Sequence, residues 1–486
     1  MPSPTNSSIT RWSMRSCAKA SSSNSSTERK ERRRLMTMTQ DVAGFAAAFS
    51  LRTAPAELLP RVREAFLDSF GVMLAGSREE SARIAARWIR IERAEGSCAV
   101  IAQRDFRTSP ANAALANGVA AHTLDYDHFG HQSAVMVPCV LAAGEAKGCS
   151  GRELIEAYIV GVEVSALLAK GMGKEAQGIG LHPAGVCGSL GAAAAAGKIF
   201  HLGPEQIQIG LGIAASLTAG LSQNFGTMVK PLHLGNAARN GIMAAQLAAA
   251  GFTANPQIFD QAGGFFGALS AEETSEKLGK HFRFLQPGIA FKAYPCPYSS
   301  QRAVDAIIKI AERHNMIPDD VTEITCAAAP KTFRVLIHHR PTTSLEAKFS
   351  LEYLLAAGLK LRTIDEECFS PEHVNDPEMR GLVEKVRSID AHLEREIPGE
   401  GDVTVQVRTR AAVFEETVTY APGHPKNPLT WERLAEKYRA CARQGEIQEP
   451  TLSRSLEMLS RIEDIDDVRD LMRIFATQDL AREQVR

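Results

Sequence analysis

The stretch GVCGSLGAAAAAGKIF, residues 185–200, is dominated by glycine, alanine and other small residues. A second stretch of the same kind, NAARNGIMAAQLAAAGF, follows at residues 236–252. Small side chains let the backbones of neighbouring helices approach closely, and a helix without a polar face is buried on most sides. These two stretches therefore predict the central helices of a helical bundle.

Helical periodicity extends outward from these stretches, from about residue 40 to about residue 280. Apolar residues there follow the i, i+4, i+8 rhythm of a helix with one buried face, as at Val62, Phe66, Phe70, Met73 and Leu74. We expect that helix to end at Gly76, and the whole segment to be helical.

The pattern changes near Gln286-Pro287-Gly288. The stretch DAIIKIAERH (305–314) favours a helix and VTEITCAA (321–328) a strand. Valines at 403, 405 and 407 alternate with polar residues, and FEETVTY (414–420) continues the alternation, which predicts an antiparallel hairpin. This segment is predicted to form a second domain of α+β type.

Helical periodicity returns after PGHPKNP (422–428), in TWERLAEKYRACAR (430–443) and LSRSLEMLSRI (452–462). We therefore predict a mainly α fold, in which a large all-helical domain carries an inserted smaller α+β domain. The predicted segments are a disordered N-terminal extension (1–37), the helical domain's first part (38–287), the α+β domain (288–426) and the helical domain's C-terminal part (427–486).

Composition narrows the class of partner. Lys and Arg number 55 against 56 Asp and Glu, a net charge of -1, so nothing favours nucleic acid or an anionic membrane. We find no run of about 20 apolar residues, the length that a membrane helix needs. The nine cysteines form no CxxC pair, which favours reduced thiols and a cytoplasmic protein. A small molecule is the expected partner.

The first 36 residues are rich in Ser and Arg and almost free of residues that would join a core. Such a composition predicts disorder. A transit peptide shares this bias, whereas the run ERKERRR and the later methionines Met36 and Met38 fit an overlong start or an added tail. Sequence does not decide between these origins.

The densest polar stretch is AHTLDYDHFGHQSA, residues 121–134, with three histidines and two aspartates. It is open to three interpretations: a metal site, an acid/base site, or a polar loop between helices. Its spacings fit neither HExxH nor a 2-His-1-carboxylate triad. We therefore predict no metal here.

Several segments together resemble the MmgE/PrpD family, which includes 2-methylcitrate dehydratase, cis-aconitate decarboxylase and an iminodisuccinate epimerase. The resemblance spans the chain from about Gln40, in matching order. It implies an all-helical domain with an α+β lid, usually a homodimer, without metal or organic cofactor. The segments are FLDSFGVMLAG (66–76), NGVAAHTLDYD (117–127), HQSAVMVP (131–138), LHPAGVCGSLGAAAAAGKI (181–199), VKPLHLGNAARNG (229–241), FKAYPCPYSSQRAVDA (291–306) and EAKFSLEY (346–353).

The resemblance places Asp125, His131, His182, Lys230 and Lys292 in the family's active-site cleft. We assign proton transfer to the two histidines, because imidazole both takes and gives a proton near neutral pH. The two lysines are assigned to substrate carboxylates. Asp125 is expected to orient a histidine or hold its cation.

Further site candidates are His233, which would share a helical face with Lys230, and Tyr298, where the family has a polar pocket wall. Both are assigned to substrate binding. The opposing interpretations are structural: His182 as a residue before a helix start, Asp125 as an N-cap, and the lysines as solvated surface groups. His122 and His128 are predicted to be polar loop or core residues, without a catalytic role.

Two departures from the family concern the substrate. The family usually has LDFDDT followed by several residues before HPS, whereas here Asp127 is followed by His128, Phe129 and Gly130 and then by His131. After the lid lysine, dehydratase-like members have CxxxxH, but the chain runs from Cys296 to Gln301 without a histidine.

A small di- or tricarboxylate substrate and α-proton abstraction follow from the resemblance. We predict a hydro-lyase of the 2-methylcitrate dehydratase type. The alternatives are an epimerase of an imino- or amino-dicarboxylate, a decarboxylase of the cis-aconitate type, and a catalytically silent paralogue that only binds a carboxylate.

Overall fold

The computed structural model describes residues 37–103, 106–172, 180–260, 262–269, 276–329, 332–391 and 400–476. The prediction of disorder for the N-terminal extension falls on residues outside these ranges, apart from Thr37. Within them the fold is mainly helical, as predicted, with a four-stranded sheet in the C-terminal half.

The first helical segment supplies most of the molecule's long helices. Its helices are α1 (Met38–Ala48), α2 (Leu58–Gly76), α3 (Glu80–Glu92), α4 (Pro110–His122), α5 (Gln132–Lys147), α6 (Gly151–Met172), α7 (Pro183–Ile199), α8 (Pro204–Ser216), α9 (Val229–Ala249) and α10 (Phe265–Ala268). Two short strands, β1 (Cys98–Ala99) and β2 (Arg107–Thr108), pair antiparallel between α3 and α4. The first segment was predicted to be all helical, and this short two-stranded pair is an exception to that prediction.

The α+β segment contains α11 (Gln301–Arg313), α12 (Ser344–Lys348), α13 (Leu351–Leu361), α14 (Pro371–Val374) and α15 (Pro377–Val383). Its strands are β3 (Val321–Ala328), β4 (Val386–Asp390), β5 (Val403–Thr409) and β6 (Val413–Val418), in the order β4-β3-β5-β6. The predicted hairpin is confirmed, since β5 and β6 pair antiparallel with Val403 opposite Val418. Strand β4, which pairs parallel to β3, was not predicted.

The chain returns to helices α16 (Trp431–Gln444), α17 (Glu449–Ser460) and α18 (Val468–Ala476). One continuous hydrophobic core joins residues between Val42 and Phe291 with residues between Leu434 and Phe475. A separate core lies between Cys296 and Val418. This distribution supports the proposed insertion, whose boundaries stay a prediction.

The central helices are those with small residues, and their packing brings the polar stretch to the start of α9. Helix α9 packs against both α7 and α4. A Cβ atom added at Gly118 of α4 would lie 2.6 Å from the Cα atom of Gly235 in α9. Only glycine allows this approach, so α4, which ends at His122, lies directly against the helix that carries Lys230.

Gly118→Ala should therefore lower the free energy of unfolding by about 2 kcal/mol. Overpacking against a backbone atom costs up to about 3 kcal/mol, and the gain in helix propensity returns about 1 kcal/mol. Gly210→Ala is the matched control, because a Cβ atom at Gly210 meets nothing closer than 3.8 Å and should stabilise the protein slightly. Urea unfolding of both variants measures the difference, and equal stability of the two would contradict the close packing.

None of the described helices is both long and apolar enough to cross a membrane. The eight cysteines within the described residues are all free and buried, as expected for reduced thiols.

Candidate active site

Lys230 and Lys292 converge on one buried carboxylate. The Nζ atom of Lys230 lies 2.8 Å, and that of Lys292 3.1 Å, from Oδ1 of Asp125. Lys292 also donates to the backbone carbonyl oxygen of Asp125 at 2.5 Å. Burial alone would raise the pKa of Asp125, but the two ammonium groups hold it well below its usual range. The three residues form a buried ionic cluster with one positive charge in excess.

Asp127 organises a second cluster, of two histidines. Its two carboxylate oxygens each lie 2.8 Å from an Nδ1 atom, one of His122 and one of His131. Burial raises the pKa of Asp127, but the two imidazoles overcome this and hold that pKa well below its usual range. An ionised Asp127 accepts an N–H from each ring, so the Nε2 atoms face away from it.

The backbone of this loop explains how Asp127 reaches both rings. His122 is the last residue of α4, and His131 precedes the first residue of α5. Between the helices, Asp125 has a φ of 52° and His131 a φ of 62°. Left-handed backbone at two non-glycine residues is uncommon and is retained where the surroundings fix it. The loop is thus a tight double bend that turns Asp125 towards the lysines and Asp127 towards the histidines.

His182 and His233 form a third pair, with their Nδ1 atoms 3.1 Å apart. His182 lies just before α7, and His233 is on the first turn of α9, three residues after Lys230. The ring centre of His182 is 6.2 Å from that of His131 and 6.1 Å from that of His122. The three clusters therefore adjoin one another in one polar site.

Burial lowers the pKa of the histidines in this site. It lowers the pKa of His131 to about 4, although Asp127 opposes the change. Burial, with nearby His122 and His131, lowers the pKa of His182 well below its usual range. Burial therefore disfavours the imidazolium form of His131 and His182, whereas Lys230 and Lys292 place two ammonium groups next to them.

A cavity of about 280 Å³ opens onto this site and is bordered by Asp125, Lys230 and His122. The α+β segment also borders it, at residues 343–345 and at Lys348 and Phe349. Lys348 pairs with Glu366 at 2.7 Å. Phe349 lies against Lys230, whose Nζ atom is 5.2 Å from its ring centre. The volume suits a ligand of the size of a small carboxylic acid.

Lys437, on α16, contacts the two segments that carry Asp125 and Lys292. Its Nζ atom donates to the backbone oxygens of Tyr126 at 2.8 Å and Lys292 at 2.9 Å. It also lies 2.7 Å from Oδ1 of Asp68, a buried carboxylate of α2. The bend that carries Asp125 and Asp127 is thus fixed to the strand-like segment that carries Lys292.

The aspartates and histidines could also bind a metal ion, as an alternative to acid/base chemistry. Ligand atoms of His122, Asp125, Asp127 and His131 all lie within 4.8 Å of one another. Each carboxylate, however, already accepts from two groups, and two ammonium groups at Asp125 would repel a further cation. The donor set fits carboxylate binding and proton transfer better than it fits a metal.

Comparison with known proteins decides the family. Residues 40–277 match the MmgE/PrpD N-terminal domain, and residues 294–455 match the MmgE/PrpD C-terminal domain. The chain belongs to the MmgE/PrpD family. Within the MmgE/PrpD family it is similar to cis-aconitate decarboxylases along most of their length.

Cis-aconitate decarboxylase of Mus musculus is 30% identical over 462 residues, which cover 90% of this chain and 93% of that protein. The Homo sapiens enzyme is 31% identical over 438 residues, 84% and 88% of the two chains. Cis-aconitate decarboxylase of Aspergillus terreus strain NIH 2624 / FGSC A1156 is 26% identical over 479 residues, 90% and 96% of the two chains.

Six of the seven predicted site residues of this MmgE/PrpD protein lie together here. They are Asp125, His131, His182, Lys230, Lys292 and His233. Asp125 is not an N-cap, because the helix after it begins at Gln132, and it holds the lysines rather than orienting a histidine. His182 does precede a helix start, as its structural interpretation expects, and its role in proton transfer stays a prediction.

Tyr298 is not part of the cluster. Its ring stacks on Phe129 at 4.8 Å, and its buried hydroxyl has no hydrogen-bond partner among the described residues. Its assignment to substrate binding in this MmgE/PrpD protein stays a prediction that no contact supports.

Sequence reasoning missed the part played by Asp127 and His122. Both are fully buried, and both contact or adjoin the predicted catalytic histidine. His128, in contrast, matches its structural prediction, since its ring is bound by the backbone oxygen of Phe129 and by Ser133. The density of polar residues in 121–134 was a signal that Asp127 belongs to a site. It did not indicate which histidines Asp127 contacts.

Proposed function

We propose that this chain is a lyase that removes carbon dioxide from a small unsaturated tricarboxylate of the cis-aconitate type. The observation that carries the proposal is the 30% and 31% identity to mammalian cis-aconitate decarboxylases over most of both chains. It favours the decarboxylase, one of the alternatives from sequence, over the predicted dehydratase. Decarboxylation breaks a carbon–carbon bond, whereas the predicted hydro-lyase would break a carbon–oxygen bond.

The charge of the site supports a polycarboxylate substrate. Lys230 and Lys292 are buried, and each has Asp125 as its carboxylate partner. A substrate carboxylate that approached them would share the two ammonium groups with Asp125. Buried cations that are already held in place bind an anion without further reorganisation.

The reaction consumes one proton. When the carboxylate leaves as neutral carbon dioxide, the electron pair of the broken bond forms a new carbon–carbon double bond. The pair of the old double bond then takes a proton at the distal carbon. A trianion and one proton thus give a dianion and carbon dioxide, so the site needs one acid and no leaving-group hydroxyl.

We assign the acid to His182 and carboxylate binding to His131. Nδ1 of His131 contacts the Asp127 carboxylate. This anion stabilises the imidazolium form of His131, which can then bind a substrate carboxylate. His182 has no carboxylate partner among the described residues and lies at the positive end of α7, where a cation is disfavoured. Once protonated in the presence of the trianion, His182 is therefore the stronger acid.

The departures from the dehydratase-like members agree with this proposal. The lid histidine that would act on a leaving hydroxyl is absent between Cys296 and Gln301. Phe129 and Gly130 stand where other members have a hydroxyl residue. A homodimer, the absence of a cofactor and a cytoplasmic location stay predictions from the family resemblance and from composition.

Incubation of the purified protein with cis-aconitate tests the proposal. We expect release of carbon dioxide with incorporation of one solvent deuteron into the product, followed by NMR in deuterated water. Parallel samples with 2-methylcitrate and iminodisuccinate distinguish water loss and epimerisation. His182→Gln is the control for contamination, and it should lose activity by roughly 100-fold or more. Water loss from 2-methylcitrate without carbon dioxide release from cis-aconitate would reject the proposal.

A further inference from the structure

His182 and His233 differ from His122 and His131 in that their Nδ1 atoms contact each other and not a carboxylate. The 3.1 Å contact joins Nδ1 of His233 to Nδ1 of His182. Such a bond needs one proton, which one Nδ1 atom donates and the other Nδ1 atom accepts. Because Nδ1 of His182 is occupied in this way, its Nε2 atom is the one available to a substrate.

The fold preserves this contact at Gly220. That residue has a φ of 135°, and a Cβ atom there would lie 3.3 Å from Cγ of His233 and 3.4 Å from Cβ of His182. The backbone oxygen of Gly220 also accepts from the N–H of His182 at 3.0 Å. A glycine is needed both for this backbone conformation and for the approach of the two rings.

His182 and His233 differ in their exposed surface and in the charged groups that surround them. His182 retains 3% of its surface and His233 retains 9%, so the outer ring is the more accessible one. His122, His131 and Lys230 face His182, and Lys230 faces His233. Burial, together with these groups, lowers the pKa of both histidines, so a positive charge on the pair is disfavoured.

We propose that His233 is a proton relay, which supplies His182 with the proton that each decarboxylation consumes. The inference rests on the proposed function. Nε2 of His233 takes a proton from solvent, and the proton on its Nδ1 atom passes to Nδ1 of His182, which becomes the imidazolium. Nε2 of His182 then gives its proton to the substrate carbon, so both rings are neutral again. After product release, Nε2 of His182 takes a proton from water, its Nδ1 proton returns to Nδ1 of His233, and Nε2 of His233 releases one proton to solvent, which restores the starting tautomers. One solvent proton enters for each carbon dioxide released.

His233→Asn tests the relay, because asparagine can keep a hydrogen bond to His182 but cannot pass a proton. We expect kcat for carbon dioxide release to fall by roughly 100-fold and KM to change little. Added imidazole should restore kcat as its concentration rises, and the solvent deuterium isotope effect should increase in the variant. His233→Ala, with more room for imidazole, should be rescued more fully. Leu232→Ala, at the exposed neighbouring residue, is the control and should match the wild type.

Each outcome bears on one of the two proposals. If the wild type releases no carbon dioxide, the proposed function fails and the relay fails with it. If the wild type is active and His233→Asn retains full kcat, or falls without any response to imidazole, the relay alone is wrong. In the second of these cases His233 only positions His182. Circular dichroism on each variant confirms that it is folded.

Discussion

Lys230→Met is expected to reduce kcat/KM for cis-aconitate by about three orders of magnitude. The side chain is buried between Phe225 and Phe349, with its Nζ atom 5.5 Å and 5.2 Å from their ring centres. Removing one partner of a buried charge pair costs about 2–5 kcal/mol, and each 1.36 kcal/mol is a factor of about ten in rate. Methionine preserves the length of the side chain, so the loss would reflect charge and not volume.

Steady-state kinetics on the purified variant measures this effect. Lys309→Met is the matched control, because Lys309 pairs with Asp305 on the half-exposed face of α11 and should keep wild-type activity. Arginine at position 230 should not rescue, since its planar guanidinium does not replace a compact ammonium between two rings. A folded Lys230→Met protein with kcat/KM near that of the wild type would show that the lysine does not bind substrate.

Asp127→Asn has the second-largest expected effect, again about a thousandfold loss of kcat/KM. The carboxylate accepts from Nδ1 of both His122 and His131. An asparagine amide offers one acceptor and one donor in its place, so one of the two rings must change its tautomer. The imidazolium of His131 would also lose the anion that stabilises it.

The pH profile of this variant separates the charge effect from a loss of shape. Burial lowers the pKa of His131 to about 4, and Asp127 acts in the opposite direction. Without Asp127 that pKa falls further, so protonation of His131 in the complex needs a lower pH. The activity of Asp127→Asn should keep rising at acidic pH where that of the wild type has levelled. A profile parallel to the wild type would contradict this role, and Asp319→Asn, at an exposed acid, serves as the control.

The long helices and the central strands were predictable because their burial repeats with the period of the element. The small-residue helices α7 and α9 and the alternating valines of β5 all lie where their patterns indicate. Strand β4 lacks such a pattern, because only Val386 of its five residues is buried. It is an edge strand that is held by backbone hydrogen bonds to β3. Backbone hydrogen bonds do not require a pattern of apolar side chains, so the sequence did not indicate this strand.

The site was predictable as a set of residues but not as an arrangement. The family resemblance located the lysines and histidines, while their meeting depends on the close contact of Gly118 with Gly235. Asp127, for which no role was predicted, contacts the histidines in place of Asp125, because the backbone is left-handed at Asp125 and His131. Non-glycine residues give no sequence signal for that conformation, so the prediction placed the orienting carboxylate two residues too early.

The position of Lys437 sets an order of events during synthesis. The Nζ atom of Lys437 donates to the backbone oxygens of Tyr126 and Lys292. Lys437 comes 145 residues after Lys292 in the chain. A nascent chain that has emerged only as far as the α+β segment contains every predicted catalytic side chain but lacks Lys437. The ribosome must therefore complete α16 before the site can take its final form.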